Sequence, residues 1–228
     1  MNQLKVIYED NHIIVVEKPV NIPSQGDKTG DIDMLTIIKG YLKEKYNKPG
    51  NVYLGLIHRL DRPVGGVMVF AKTSKAAARL SEQVREKIFR KTYLVIVNGR
   101  MEKNKGVLED YLLKNEKNNM SKVVKKETKN SKLAILDYEV LKYNEEINLS
   151  LLKVNLHTGR HHQIRVQFSS RDHSIYGDQK YGGRGHGKQI CLWAYELTIN
   201  HPITKEEMTF KSIPEVNGSW KIIEDVKL

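Results

Sequence analysis

The chain has 228 residues, of which 39% are hydrophobic and 29% charged, enough to bury a core and too apolar for a disordered or fibrous chain. Thirty-eight lysines and arginines against 27 acids leave a formal net charge of +11, a field that attracts polyanions such as nucleic acid or an acidic membrane surface. The single cysteine, Cys191, excludes an internal disulfide; with no apolar N-terminal run long enough for a signal peptide or a span, the cytoplasm is the expected compartment.

Ile13 to Glu17 (IIVVE) is β-branched and predicts a strand, ended by Lys18-Pro19 and followed by a loop through Ile22-Pro23-Ser24. Met34 to Tyr46 places apolar residues at helical spacing, with Asp31 or Asp33 as N-cap. His58 to Lys72 (HRLDRPVGGVMVFAK) sets one carboxylate, Asp61, between Arg59 and Arg62, then turns through Pro63-Val64-Gly65-Gly66 into an apolar strand. A loop anchored on a buried strand suits chemistry; a surface ion cluster is the plainer reading of the same residues. Thr73 or Ser74 caps a second predicted helix with a stripe at Ala76, Leu80, Val84 and Ile88, and its charged face reads as solvated.

Lys91 to Val97 and Gly106 to Leu113 predict strands, and Leu133 to Leu141 with Ile147 to Leu156 predict a neighbouring pair. Between them Lys114 to Lys132 is lysine-rich and apolar-poor. It reads as a flexible hairpin arm with solvated charges, with contact to a nucleic-acid backbone as the second reading. In LHTGRHHQIRVQFSSR (Leu156 to Arg171), Thr158 caps a short helix that carries Arg165. Tyr176-Gly177-Asp178 and Tyr181-Gly182-Gly183 are turns, and Ile190 to Ile199 and Glu207 to Lys211 are strands. Strands outnumber helices and several are sequential neighbours, so the expected class is α+β with largely antiparallel pairing, in one domain over residues 1–228.

Two apparent motifs fail on chemistry. Gly182 to Lys188 fits the start of a phosphate-binding loop, but Gln189 stands where a Ser or Thr must hold magnesium, and a strand follows where a helix should. His157, His161 and His162 invite a metal, but no acidic or cysteine ligand is near them in sequence, and Arg160 and Arg165 repel a cation. What remains is Asp61 in basic surroundings, with no metal or cofactor expected.

HRLDRPVGGVMVFAK resembles the signature of the RluA family of RNA pseudouridine synthases. DNHIIVVEKP, Arg90-Lys91-Thr92-Tyr93, TGRHHQIR with YGDQKYGG, and LWAYELTINHP resemble further blocks of that family, in family order from about residue 9 to residue 202. Pro63-Val64, Ser174 and Trp193 depart from the usual residues, which blurs any subfamily. The S4 module that precedes many relatives is not expected, because the first block begins almost at Met1. The resemblance implies the pseudouridine synthase catalytic fold: a mixed, largely antiparallel sheet with flanking helices and a central cleft.

It also implies isomerisation of specific uridines in rRNA or tRNA, with Asp61 as the essential acid, Arg165 as the partner fixing its carboxylate, and Tyr93 beside the uracil. Arg59 would fill the stack vacated by the target base, Arg62 would meet phosphate or support the structure, and Leu192 would wall the uracil pocket. The implied partner is an RNA stem-loop, with no membrane, no protein partner and a monomeric enzyme. The rival is a non-catalytic RNA-binding or chaperone protein on the same fold, for which Asp61 would be dispensable.

Overall fold

A computed structural model of the chain describes residues 4–182 and 188–228. Cα packing divides it into two compact units, the first made of residues up to Lys91 with Ala194–Ile213, the second of Thr92–Trp193 with Pro214–Leu228.

The first unit opens with β1 (Val6–Glu9) and β2 (Ile13–Lys18), followed by helix α1 (Met34–Lys45), β3 (Gly55–Leu56), β4 (Gly65–Ala71) and helix α2 (Ser74–Arg85). The next strand, β5 (Arg90–Asn98), carries the chain into the second unit, and β10 (Leu192–Asn200) and β11 (Glu207–Lys211) return to the first. Its sheet runs β1-β2-β4-β10, with β3 on β4 and β11 on β10. β2 and β4 pair antiparallel from Ile13↔Ala71 to Lys18↔Gly66. Every residue of β4 is buried, which explains its unbroken apolar sequence. Ile13, Val15, Val67, Val69 and Leu197 pack with Ala76 and Leu80 of α2 and with Phe89.

Both predicted caps hold: the Asp33 carboxylate accepts from the Thr36 amide at 2.8 Å and the Thr73 hydroxyl from the Ala76 amide at 3.2 Å. The stripe of α2 is shorter than predicted. Lys87 turns left-handed (φ 61°), so Ile88 lies past the helix end and Val84 is exposed. The buried place is Gln83, whose amide closes a hydrogen-bonded pair with the Asn200 backbone at 2.7 and 2.9 Å.

The second unit contains most of β5, then β6 (Lys105–Asn115), β7 (Met120–Val124), β8 (Lys132–Asn144), β9 (Leu149–Leu156) and helix α3 (Gln163–Ser169), with a 3-10 turn at Gly218–Ile223. Strand order is β5-β9-β8-β6-β7. The lysine-rich stretch holds the turn of the expected hairpin: β6 and β7 pair antiparallel from Tyr111↔Val124 to Asn115↔Met120. Helix α3 begins later than predicted. Its first helical residue is Gln163, preceded by left-handed His162 (φ 53°), while the Thr158 hydroxyl donates to the Gln163 side chain at 2.8 Å. Buried Gln167 reaches Asp110 at 2.7 Å and the Leu108 carbonyl at 3.2 Å, fixing α3 on β6. The α+β class with largely antiparallel pairing is what the structure has.

Candidate active site

Asp61 stands, half-buried, on the loop that feeds β4. Both sides of the loop are fixed by the end of β2 and the segment that follows it. Before Asp61, the Ser24 hydroxyl donates to the Leu60 carbonyl at 2.8 Å and accepts from the Leu60 amide at 3.1 Å. After it, fully buried Lys18 donates to the carbonyl of Arg62 at 3.0 Å, and also to those of Pro19 at 2.9 Å and Ile22 at 2.6 Å. Burial pushes the Lys18 ammonium down to about 7; the Asp61 charge pulls the other way and Arg62 adds to the lowering. Three carbonyl acceptors match the three N–H groups of an ammonium, so this loop geometry belongs to protonated Lys18. The Val64 amide then closes the turn on the Asp61 carbonyl at 3.0 Å.

Lys18→Met removes the donor to all three carbonyls and the cation near Asp61. The expected cost is about 3–5 kcal/mol of stability with a loss of turnover, read by a thermal melt beside an activity assay.

Gly66 ends the loop in a conformation only glycine takes readily (φ 123°), and a Cβ there would lie 2.2 Å from the Ala194 carbonyl oxygen on β10. Gly66→Ala is expected to destabilise the protein by about 3 kcal/mol or more, seen as a lowered melting temperature, because the blocking atoms are backbone and cannot rotate away. His58, at the start of the block, lies against Phe89 with ring centroids 5.1 Å apart and accepts from the Val69 amide at 3.2 Å. Burial, with Lys91 nearby, pushes its pKa down to about 3, so it is a neutral support for β4.

Of the flanking arginines, Arg59 is exposed. Arg62 is engaged with the loop of residues 21–31: it donates to the Asn21 carbonyl at 3.2 Å and the Thr29 hydroxyl at 3.1 Å, and pairs with Asp31. Of the two roles expected for Arg62, the structural one describes these contacts.

In the second unit Tyr93 lies buried on β5 and Leu192 buried at the head of β10. Arg165, on α3, is 4% exposed and makes a two-pronged pair with Asp178: Nε to Oδ2 at 2.8 Å and Nη2 to Oδ1 at 2.7 Å. Asp178 Oδ1 also accepts from the Lys180 amide at 2.9 Å and the Tyr181 amide at 3.2 Å. Burial opposes its ionisation, but the Arg165 bonds and charge and these two amides outweigh it and hold the carboxyl below the ordinary range. The Tyr176-Gly177-Asp178 turn that aims it needs its glycine: Gly177 has φ 79° and a Cβ would lie 2.4 Å from the Gln189 carbonyl oxygen.

Lys18, Ser24 and Asp178 are residues that sequence reasoning missed. Lys18 looked like a strand terminator and Asp178 like a turn former. One signal was present: Asp178 is the sole acid between Asp172 and Glu196, in a basic stretch that carries a buried arginine. The histidines have non-metal engagements: His157 with Asp137 at 2.7 Å, His161 with Ser121 at 2.9 Å and His162 with Tyr181 at 2.8 Å. Residues 183–187 of the phosphate-loop look-alike lie outside the described residues. Cys191 is buried and its thiol is pushed up to about 12 by that burial, which makes it a core residue.

A family model described as RNA pseudouridylate synthase matches residues 12–170. An uncharacterized RNA pseudouridine synthase of Aquifex aeolicus is 35% identical over 91% of this chain and 68% of its own length. A ribosomal large subunit pseudouridine synthase C of Haemophilus influenzae is 30% identical over 91% of this chain and 64% of its own. A tRNA pseudouridine synthase C of the same organism is 30% identical over 90% of this chain and 91% of its own. The chain thus spans about two thirds of the first two relatives and nearly all of the third. Among solved structures, human RNA pseudouridylate synthase domain containing 4 superposes with a TM-score of 0.77 at 21% identity, covering 91% of this chain and 87% of that one. No helix among the described residues is long and apolar enough to cross a membrane.

Proposed function

Because the chain belongs to the RNA pseudouridylate synthase family, we propose that it converts uridine in ribosomal or transfer RNA to pseudouridine with Asp61 as the essential acid. The observation that carries this reading is the double fixation of the Asp61 loop. Ser24 holds the residue before the carboxylate and Lys18 the residue after it. A group that must meet one atom of a substrate gains from such support, since small misplacement costs rate steeply.

The reaction breaks the bond between C1′ and N1 of uracil, turns the ring, and joins C5 to C1′; C5 loses its proton and N1 takes one up. Nothing is oxidised and no group is imported. The chain supplies a carboxyl group in Asp61 and a buried arginine in Arg165, which the resemblance makes its partner. Tyr93 can lie against the uracil and place a hydroxyl near the moving proton. The target base must leave its stack first, and exposed Arg59 is the residue assigned to the vacated space. Leu192 is assigned to the apolar wall of the uracil pocket. The resemblance assigns Asp61, Tyr93 and Arg165 to one reaction, and the reading takes residues 1–228 as one catalytic domain.

Both kinds of RNA named for the relatives suit a basic chain, and the test keeps them apart. Transfer RNA and large-subunit ribosomal RNA transcripts are incubated separately with the protein, digested to nucleosides and resolved by chromatography. A pseudouridine peak from one pool is the expected result. Its absence from both pools, with RNA still bound, would favour the non-catalytic rival.

A further inference from the structure

We propose that Tyr181 is a positioning residue with two separable ends: its hydroxyl seats the lysine-rich β6–β7 hairpin, which grips the RNA backbone, and its ring supports Arg165. The proposal rests on the reading above, in which Arg165 serves the reaction.

At one end, the Tyr181 hydroxyl accepts from the Ser121 amide of β7 at 2.7 Å and lies 2.8 Å from His162 Nδ1. The buried Ser121 hydroxyl continues the link, donating to the His161 carbonyl at 2.9 Å. A second tie runs from the same loop to the hairpin turn, Lys180 Nζ to the Asn119 carbonyl at 3.2 Å.

At the other end, the Arg165 guanidinium lies 5.3 Å from the Tyr181 ring centroid, within range of a cation–π contact. The backbone of Tyr181 is pinned independently: its amide donates to Asp178 at 3.2 Å and its carbonyl accepts from Ser169 at 2.7 Å. One side chain therefore touches the hairpin with its polar tip and Arg165 with its apolar body.

The hairpin has the composition of a backbone-gripping element. Residues 114–132 hold seven lysines against two glutamates, and all seven lysines are exposed. An extended hairpin with exposed ammonium groups suits phosphates spaced along RNA; of the seven, Lys114, Lys117 and Lys122 lie on the hairpin, where the β6–β7 register fixes Lys114 and Lys122, and the other four follow β7.

The two ends predict different losses. RNA binding and the single-turnover rate at saturating RNA are measured on wild type, Tyr181→Phe and Tyr181→Leu, each with a thermal melt. Tyr181→Phe keeps the ring and loses the hydroxyl, so binding weakens roughly fivefold and the rate stays within about twofold of wild type. Tyr181→Leu loses both, so the same binding loss is joined by a rate loss of about tenfold or more. Lys117→Glu with Lys122→Glu weakens binding, and combined with Tyr181→Phe gives less than the sum of the separate binding losses. Equal binding and rate losses in the two Tyr181 variants, or an unchanged rate in Tyr181→Leu, would overturn the proposal. So would full additivity with the lysine pair. No turnover by wild type on either RNA would overturn the functional reading itself, and the proposal with it.

Discussion

Asp61→Asn is expected to abolish turnover, by at least about a thousandfold, while RNA binding stays within a few fold of wild type. Asparagine matches aspartate in size and keeps hydrogen-bonding capacity, but cannot ionise, attack or take a proton. The loop is held through main-chain groups, those of Leu60 and Arg62 and the turn from Val64 to the Asp61 carbonyl, which the substitution leaves in place. The variant should therefore fold and keep its place. Filter binding and turnover on one preparation separate the two effects. A variant with wild-type turnover would remove Asp61 from the chemistry and revive the rival in which the acid is dispensable.

The second large effect is on the Arg165–Asp178 pair. Asp178→Asn is expected to lower stability by about 3–5 kcal/mol, because it leaves a buried guanidinium facing an amide that offers one oxygen where two were engaged. The Asp178 side chain is fully buried and that of Arg165 4% exposed, so water cannot stand in for the lost acceptor. Turnover should fall by roughly a hundredfold as Arg165 loses its geometry. A pH series adds an independent signature. The folded carboxyl titrates below its unfolded value of about 3.9, so between the two values the unfolded chain binds more protons. The stabilisation is complete above that unfolded value and is lost as pH falls through the folded one. Wild type should lose this increment in acid, and Asp178→Asn should have none of it to lose. Equal acid sensitivity in the two proteins would show that the pair contributes nothing to the fold.

What the sequence made legible follows from how local each signal is. β2 and β4 are short runs buried along their length, so composition alone marks them, and α1 and α2 announce themselves through Asp33, Thr73 and apolar steps of three and four. The hairpin in the lysine-rich stretch was legible as a hairpin, but the bounds of its strands were not. Its pairing is made by backbone groups, with Ser121 buried and left-handed Asn119 in the turn, a position asparagine tolerates well. The start of α3 was misplaced because left-handed His162 is set by its fit against Tyr181, a residue 19 positions away.

The candidate site divides the same way. Asp61 was legible because its arginines, turn and strand are contiguous. Its supports were not, because Ser24 lies 36 residues before Leu60 and Lys18 lies 44 before Arg62, and nothing local joins them. Arg165 could be carried over from the resemblance, but its clasp by Asp178 depends on a turn 13 residues later that reads only as a turn.

The most direct test of the central claim is tritium release. Joining C5 of uracil to the sugar expels the C5 hydrogen to water, so RNA carrying tritium at that carbon reports isomerisation and nothing slower or earlier. The account predicts release by the wild-type protein from transfer RNA or ribosomal RNA, one tritium for each pseudouridine formed, and background release with Asp61→Asn. Release that persists undiminished in Asp61→Asn would contradict it.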